Sequence, residues 1–284
     1  MSQISLDKGM IFTCSVDSNY MDYLYCLANS ISINSPKIPL HIRIVGTYTE
    51  KKEQEYFENL KKCNNNFFID FDRKLLSKDK KYMRSKDQLL YGKSLNENIK
   101  AKQESKNFKN VKNNFFLMSE RQCYTSNTRF RNTLNLLNHG YSYVMNIDAD
   151  TIIRKNILDI KDELYQYDVC CNISDCDRYK NSTCWELSFL GTKHSSSVIK
   201  FITRCKNLTE ANMFDWDSDQ NSIEEAYHFY KEKLNINSKI DHIEDIGNLH
   251  NREYNNESYI WAGSGTNKTK QNKFTLELEK YYKI

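Results

Sequence analysis

Apolar and polar residues fall along the chain in blocks whose lengths and spacings predict an α/β protein. Met10–Val16 is an unbroken apolar run of strand length, after which Met21, Leu24, Leu27, Ala28 and Ile31 recur at helical spacing. Asn19 is the expected N-cap of that helix, with Asp22 at its third position. Pro36 and Pro39 stop the helix and lead into a second strand, Leu40–Val45. A polar helix near Glu50–Lys62 and a third apolar run, Phe67–Phe71, complete a βαβαβ opening. Regular patterning resumes with the capping box Ser119-Glu-Arg-Gln122, before a helix expected to reach about Asn138 and end at Gly140. Tyr141–Ile147 is the next strand and delivers Asp148-Ala-Asp150 at its carboxyl end, where open α/β sheets place ligand chemistry.

Thr151-Ile-Ile then reads as continuation of the same strand. Beyond it the pattern predicts a short helix from Asn156, strands at Asp168–Ile173 and Trp185–Leu190, and a helix over Ser195–Leu208 with Val198, Ile202 and Cys205 inward. A further helix begins after Asp219, followed by a strand-compatible run at Lys239–Ile243, the segment Tyr259–Lys270 and an amphipathic piece near Phe274–Tyr282. Neither an internal repeat nor a clean linker interrupts this order, so one domain over residues 1–284 is expected.

Composition narrows the class. An apolar content of 39% with 13% aromatics excludes an intrinsically disordered chain. No apolar run approaches the ~20 residues needed to cross a bilayer. Met10–Val16 is too short and wrongly flanked for a secretory signal, so a soluble, cytoplasmic protein is expected. The nine cysteines agree with a reducing compartment, and the cluster Cys170, Cys171, Cys176, Cys184 lacks zinc-site spacing and a nearby histidine. The net charge of +4 conceals an asymmetry: residues 73–112 hold thirteen Lys/Arg against four Asp/Glu, leaving the rest net acidic. That basic insertion reads as a solvated surface segment that could contact an anionic acceptor or, peripherally, membrane headgroups; it is assigned no specific partner, and no nucleic-acid partner is expected.

Five D-x-D pairs occur: Asp70/Asp72, Asp148/Asp150, Asp175/Asp177, Asp215/Asp217 and Asp217/Asp219. Only Asp70/Asp72 and Asp148/Asp150 follow an apolar run, and of these only Asp148/Asp150 follows a capped helix. Two carboxylates two residues apart at a strand end can present oxygens to one hard cation, Mn2+ or Mg2+, which can bridge to a diphosphate and neutralise a departing nucleotide. Asp148-Ala-Asp-Thr151 also has the form that opens haloacid-dehalogenase-type phosphohydrolases, with the first aspartate as nucleophile and the second as general acid. In those enzymes the motif begins the catalytic domain, whereas here an α/β region precedes it, with only Asp241 and Asp245 as substitutes for a later acidic pair.

Beyond these spacings, the chain resembles the family 8 glycosyltransferases, including bacterial and viral relatives, over most of its length and in order. Ile11-Phe-Thr-Cys-Ser-Val-Asp17-Ser-Asn-Tyr20 looks like the family's first strand and its D-x-N-Y turn. Thr128-Arg129-Phe130 followed by Tyr143-Val-Met-Asn-Ile-Asp148-Ala-Asp150 is close to its R-[FWY] and D-x-D arrangement, and Asp219-Gln220 fits its D-Q before a helix. Ala262-Gly-Ser-Gly265-Thr-Asn-Lys268 has the spacing of its H-x-x-G-x-x-K, with alanine where the family has a metal-binding histidine; His250 is the candidate substitute. The family's N-x-G pattern, expected near Trp185–Gly191, is missing.

The resemblance implies a mixed central sheet flanked by helices, in a single GT-A domain of nucleotide-diphospho-sugar transferase type, with a phosphate-contacting tail at about 259–284. It implies metal-dependent, retaining transfer of a sugar from a UDP-sugar to a hydroxyl of a glycan, lipid or protein. On it, Asp148 and Asp150 hold the metal, Asp17 and Tyr20 contact the nucleoside, and Arg129, Gly265 and Lys268 face the diphosphate. Asp219 and Gln220 face the sugar and the anomeric centre. The alanine at 262 also keeps open a sugar-nucleotide binder that has lost turnover.

Overall fold

The computed structural model describes residues 8–76, 81–83, 117–175, 183–215, 218–237, 250–251, 258–263 and 273–282. The opening alternates strand and helix: β1 (Met10–Val16), α1 (Met21–Asn34), β2 (Leu40–Val45), α2 (Glu50–Cys63) and β3 (Phe67–Asp72). The apolar spacing of α1 does what it predicts, since Met21, Leu24, Leu27, Ala28 and Ile31 are all buried. Its start differs. Asn19 does not cap the helix; Tyr20 occupies the N-cap position without a side-chain cap, and the Asn19 amide donates to the Asp17 carboxylate, 2.8 Å. The turn is thus organised by an aspartate that also faces the cleft described below.

A short pair, β4 (Lys81–Met83) and β5 (Leu117–Ser119), precedes α3 (Glu120–Asn127) and α4 (Arg129–Asn138). The capping box forms as expected, with reciprocal bonds between Ser119 and Gln122. The single helix expected up to Asn138 is instead two. Thr128 lies between them with its hydroxyl turned back onto the Thr125 carbonyl, 2.8 Å, the local competition by which threonine interrupts helical hydrogen bonding. Gly140 closes α4 at φ 87°, a left-handed conformation that glycine adopts without penalty.

The chain continues through β6 (Tyr143–Ile147), β7 (Thr151–Ile153), a 3-10 turn (Ile157–Ile160) capped by Asn156, α5 (Lys161–Leu164), β8 (Val169–Asp175) and β9 (Thr183–Lys193). It then forms α6 (Ser196–Ala211), α7 (Ser218–Tyr230), β10 (Ile236–Asn237), β11 (His250–Asn251), β12 (Ile260–Ala262) and α8 (Lys273–Glu279). Seven strands make one mixed sheet in the order β10-β8-β9-β6-β1-β2-β3, in which β9 runs antiparallel to both β6 and β8. One side of the sheet is packed by α1 and α2 through residues such as Phe12, Leu24, Leu27 and Ile42. The other is packed by α4, α6 and α7 through Ile11, Phe130, Phe201 and Ile223.

Thr151–Ile153 does not continue β6, as its sequence suggested. A turn at Asp148–Asp150 takes it out of the main sheet, and β7 pairs antiparallel with β12 in a three-stranded sheet, β11-β12-β7. An apolar triplet satisfies either arrangement, and only the distant partner strand selects between them. Gly191, on β9, faces the buried Tyr143 ring: a Cβ there would lie 2.5 Å from the tyrosine hydroxyl oxygen. The expected run at Lys239–Ile243 and most of the basic 73–112 segment lie outside the described residues.

Candidate active site

The carboxyl ends of β1 and β6 are neighbours in the sheet, and their following turns open onto one cleft. Its cavity of about 250 Å³ is lined by Ser15, Val16, Asp17 and Tyr20 from the β1 side and by Asp148, Ala149 and Asp150 from the β6 side. The third wall is α3, which contributes Gln122, Thr125 and Ser126. Four of the residues singled out in the sequence, Asp17, Tyr20, Asp148 and Asp150, therefore share one opening. Three carboxylates converge there, and no lysine or arginine is among the described residues that line it.

Arg129 lies beside this cleft, in the wall of a smaller recess. The first turn of α4 carries it inward, so that the guanidinium is 9% exposed and pairs with Asp219 (Nε to Oδ2, 2.7 Å) and Asp148 (Nη2 to Oδ1, 3.4 Å). It also donates to the Leu187 carbonyl and, at 3.3 Å, to the Ser126 carbonyl. Burial opposes the charged form, but the Asp219 and Asp148 carboxylates outweigh it, and the net effect raises the guanidinium pKa above its ordinary value. The side chain assigned by resemblance to phosphate is thus engaged by protein carboxylates and carbonyls, linking Asp148 to Asp219. That recess, of about 40 Å³, is also lined by Ser15, Thr125, Ser126, Asn146 and Asp148.

Asp219 and Gln220 lie in the first turn of α7, and Asp219 reaches the cleft residues through Arg129. On the opposite side, β12 brings the tail motif to the aspartate turn: Ala262 pairs with Thr151, and the Gly263 amide donates to the Asp150 carbonyl, 2.7 Å. Gly265 and Lys268 lie outside the described residues. His250 is in register with Ile260, and Ile260 with Ile153, so its backbone lies two strands across from β7. With ~4.8 Å between strands and ~3.3 Å per residue, that is roughly 14 Å from the Asp150 backbone.

Of the other aspartate pairs, Asp70/Asp72 is otherwise employed. Asp70 and Asp72, on β3, take Arg43 at 2.5 and 3.9 Å, and Asp72 also accepts from the Tyr124 hydroxyl at 3.0 Å. Asp177 and Asp217 lie outside the described residues. Ser15, Gln122, Thr125 and Ser126 were not singled out in the sequence. Ser15 could have been, from its place at the carboxyl end of β1; Gln122 reads there only as the capping-box partner of Ser119, and Thr125 and Ser126 carry no pattern of their own.

No protein-family profile matches the chain, and no curated protein matches its sequence. Solved structures do match in three dimensions. The galactosyltransferase LgtC, determined with donor and acceptor sugar analogues, superposes with a TM-score of 0.51 at 12% identity, over 97% of each chain. The bifunctional glycosyltransferase WbbM aligns with a TM-score of 0.54 at 12% identity, over 99% of this chain and 50% of WbbM. The glycosyltransferase GlyE of Streptococcus pneumoniae TIGR4 aligns with a TM-score of 0.52 at 10% identity, over 98% of this chain and 60% of GlyE. The fold is that of the GT-A glycosyltransferases. The chain spans nearly all of LgtC but only about half of WbbM.

Proposed function

We propose that the chain is a glycosyltransferase that moves a sugar from a nucleotide-sugar, a UDP-sugar, to a hydroxyl acceptor. The observation that carries this reading is the convergence of Asp17, Asp148 and Asp150 on one cleft at the carboxyl end of a glycosyltransferase-type sheet. A diphosphate set against these aspartates, of which Asp148 is paired with Arg129 at 3.4 Å, is repelled by the remaining negative charge, and a cation between them relieves that repulsion. An all-oxygen set from Asp148 and Asp150 fits a hard divalent ion, Mn2+ or Mg2+. When bound, that ion supplies the positive charge that stabilises a departing nucleoside diphosphate.

The protein groups divide the remaining work. Asp17 and Tyr20, at the β1 end of the cleft, face the nucleoside. Asp219 and Gln220 are assigned to the sugar, Asp219 from a buried position in which Arg129 fixes it relative to Asp148. Lys268, which follows the Gly263 anchor by five residues, is assigned to the leaving diphosphate. Ala262 offers no metal ligand, so Asp148 and Asp150 are the ligands that this reading assigns among the described residues. Retention of anomeric configuration belongs to the same reading.

The test is incubation with a panel of nucleotide-sugars and Mn2+, read by mass spectrometry. Release of a nucleoside diphosphate with transfer or hydrolysis of its sugar is expected. Phosphate release from a phosphomonoester, with every nucleotide-sugar left intact, would overturn the proposal.

A further inference from the structure

Asn127 is the last residue of α3 and is almost fully buried, yet it belongs to neither hydrophobic core. Its amide nitrogen donates to the Met213 carbonyl (2.7 Å) and the Asp215 carbonyl (2.9 Å), and its oxygen accepts from the Asp219 backbone amide (3.2 Å). Both amide protons and one oxygen lone pair are therefore spent on three backbone groups of a single stretch, residues 213–219. That stretch is the approach to α7. The first amides of a helix have no partner within it and are ordinarily satisfied by a capping side chain of the same segment. Here the oxygen comes from a different helix, far away in sequence.

The location gives this contact its consequence. Gln122, Thr125 and Ser126 of the same helix form one wall of the cleft, and Arg129, two residues on, holds the Asp219 carboxylate. Asp219 is thus gripped twice from one segment, by its backbone through Asn127 and by its side chain through Arg129. We propose that Asn127 is a positioning residue that locks the first turn of α7, and hence Asp219, to the cleft wall. Its effect on catalysis rests on the glycosyltransferase reading above, whereas the link itself does not. A displacement of about 1 Å in a substrate-positioning group can lower turnover by about 10²-fold. Loss of the Asn127 amide frees the turn to shift on that scale.

Two measurements on the whole chain test it. In amide hydrogen exchange, Asn127→Ala should speed exchange at Asp219 at least about tenfold while β1 and β6 keep wild-type protection. Unchanged exchange at Asp219 would overturn the link, and this measurement needs no donor. With a nucleotide-sugar that the wild type turns over, Asn127→Ala should lower kcat about tenfold or more while Mn2+-assisted UDP affinity stays within about twofold. In an Asp219→Asn background the same substitution should cost less than about threefold, because the residue it acts through is already disabled. Equal, additive losses in both backgrounds would overturn the action through Asp219. If no nucleotide-sugar is turned over, the functional reading fails and the exchange result still decides the link. Should Asn127→Ala not fold, near-isosteric Asn127→Leu, which fills the site but offers neither donor nor acceptor, is expected to give the same pattern.

Discussion

Arg129→Met leaves Asp219 as a buried carboxylate without its cation. Asp219 has a side chain 5% exposed and a 2.7 Å contact to the guanidinium, so the substitution removes the partner of a charge that water cannot reach. Breaking a buried pair from one side costs about 3–5 kcal/mol, and the donation to the Leu187 carbonyl, lost with it, adds about 1 kcal/mol. Asp219→Asn should cost less, about 1–3 kcal/mol, because Arg129 keeps Asp148 at 3.4 Å and that carboxylate is 40% exposed to water. Combining the two removes both buried charges. The double variant should therefore be destabilised by at least about 2 kcal/mol less than the sum of the singles. Urea unfolding followed by tryptophan fluorescence gives each free energy from the midpoint and slope. Additivity within about 0.5 kcal/mol would refute the reasoning, since it would mean that the pair has no coupling to lose.

Other outcomes follow from the same structure. His41 accepts or donates a bond to the Thr13 hydroxyl at 2.9 Å, and burial, reinforced by Arg43, lowers its pKa from 6.5 to about 4. Because the unfolded chain takes up this proton first, stability should be intact above about pH 6.5 and fall as pH drops toward 4, by on the order of 2 kcal/mol. His41→Gln should flatten that part of a urea-midpoint profile, and an unchanged profile would contradict the assignment. Gly191→Ala should destabilise by about 1–3 kcal/mol by crowding the Tyr143 hydroxyl, with Tyr143→Phe recovering part of the loss in the same unfolding assay. Lys268→Ala should lower kcat by about 10²-fold with a smaller change in donor KM; wild-type kcat with only KM altered would assign the lysine to uniform binding.

The strands and helices that bury one continuous apolar face were legible from the chain alone. β1 and β2 match their apolar runs end to end, and Ser119 caps α3 with the box its spacing announces. Local pattern failed where two arrangements satisfy it equally. Thr151–Ile153 is an apolar triplet in either sheet, and its partner β12 lies more than a hundred residues away. The break at Thr128 depends on a hydroxyl that prefers a carbonyl over solvent, which helix periodicity does not report. For the site, the aspartate turn and the β1 turn could be read from strand ends. The partners of Arg129 and the contacts of Asn127 could not, because an arginine or asparagine on a helix reads as surface until the tertiary fold closes α7 against α3.

The central claim is that Asp148 and Asp150 hold a divalent ion against a diphosphate. Isothermal titration of UDP into the protein, with and without Mn2+, tests it most directly when repeated on Asp148→Asn and Asp150→Asn. The wild type should bind UDP at least about tenfold more tightly with Mn2+ present, a difference of about 1.4 kcal/mol. Each variant should lose that enhancement while unfolding in urea as a cooperative, folded protein. UDP affinity that is indifferent to Mn2+ in the wild type, or an enhancement that survives in both variants, would contradict the account.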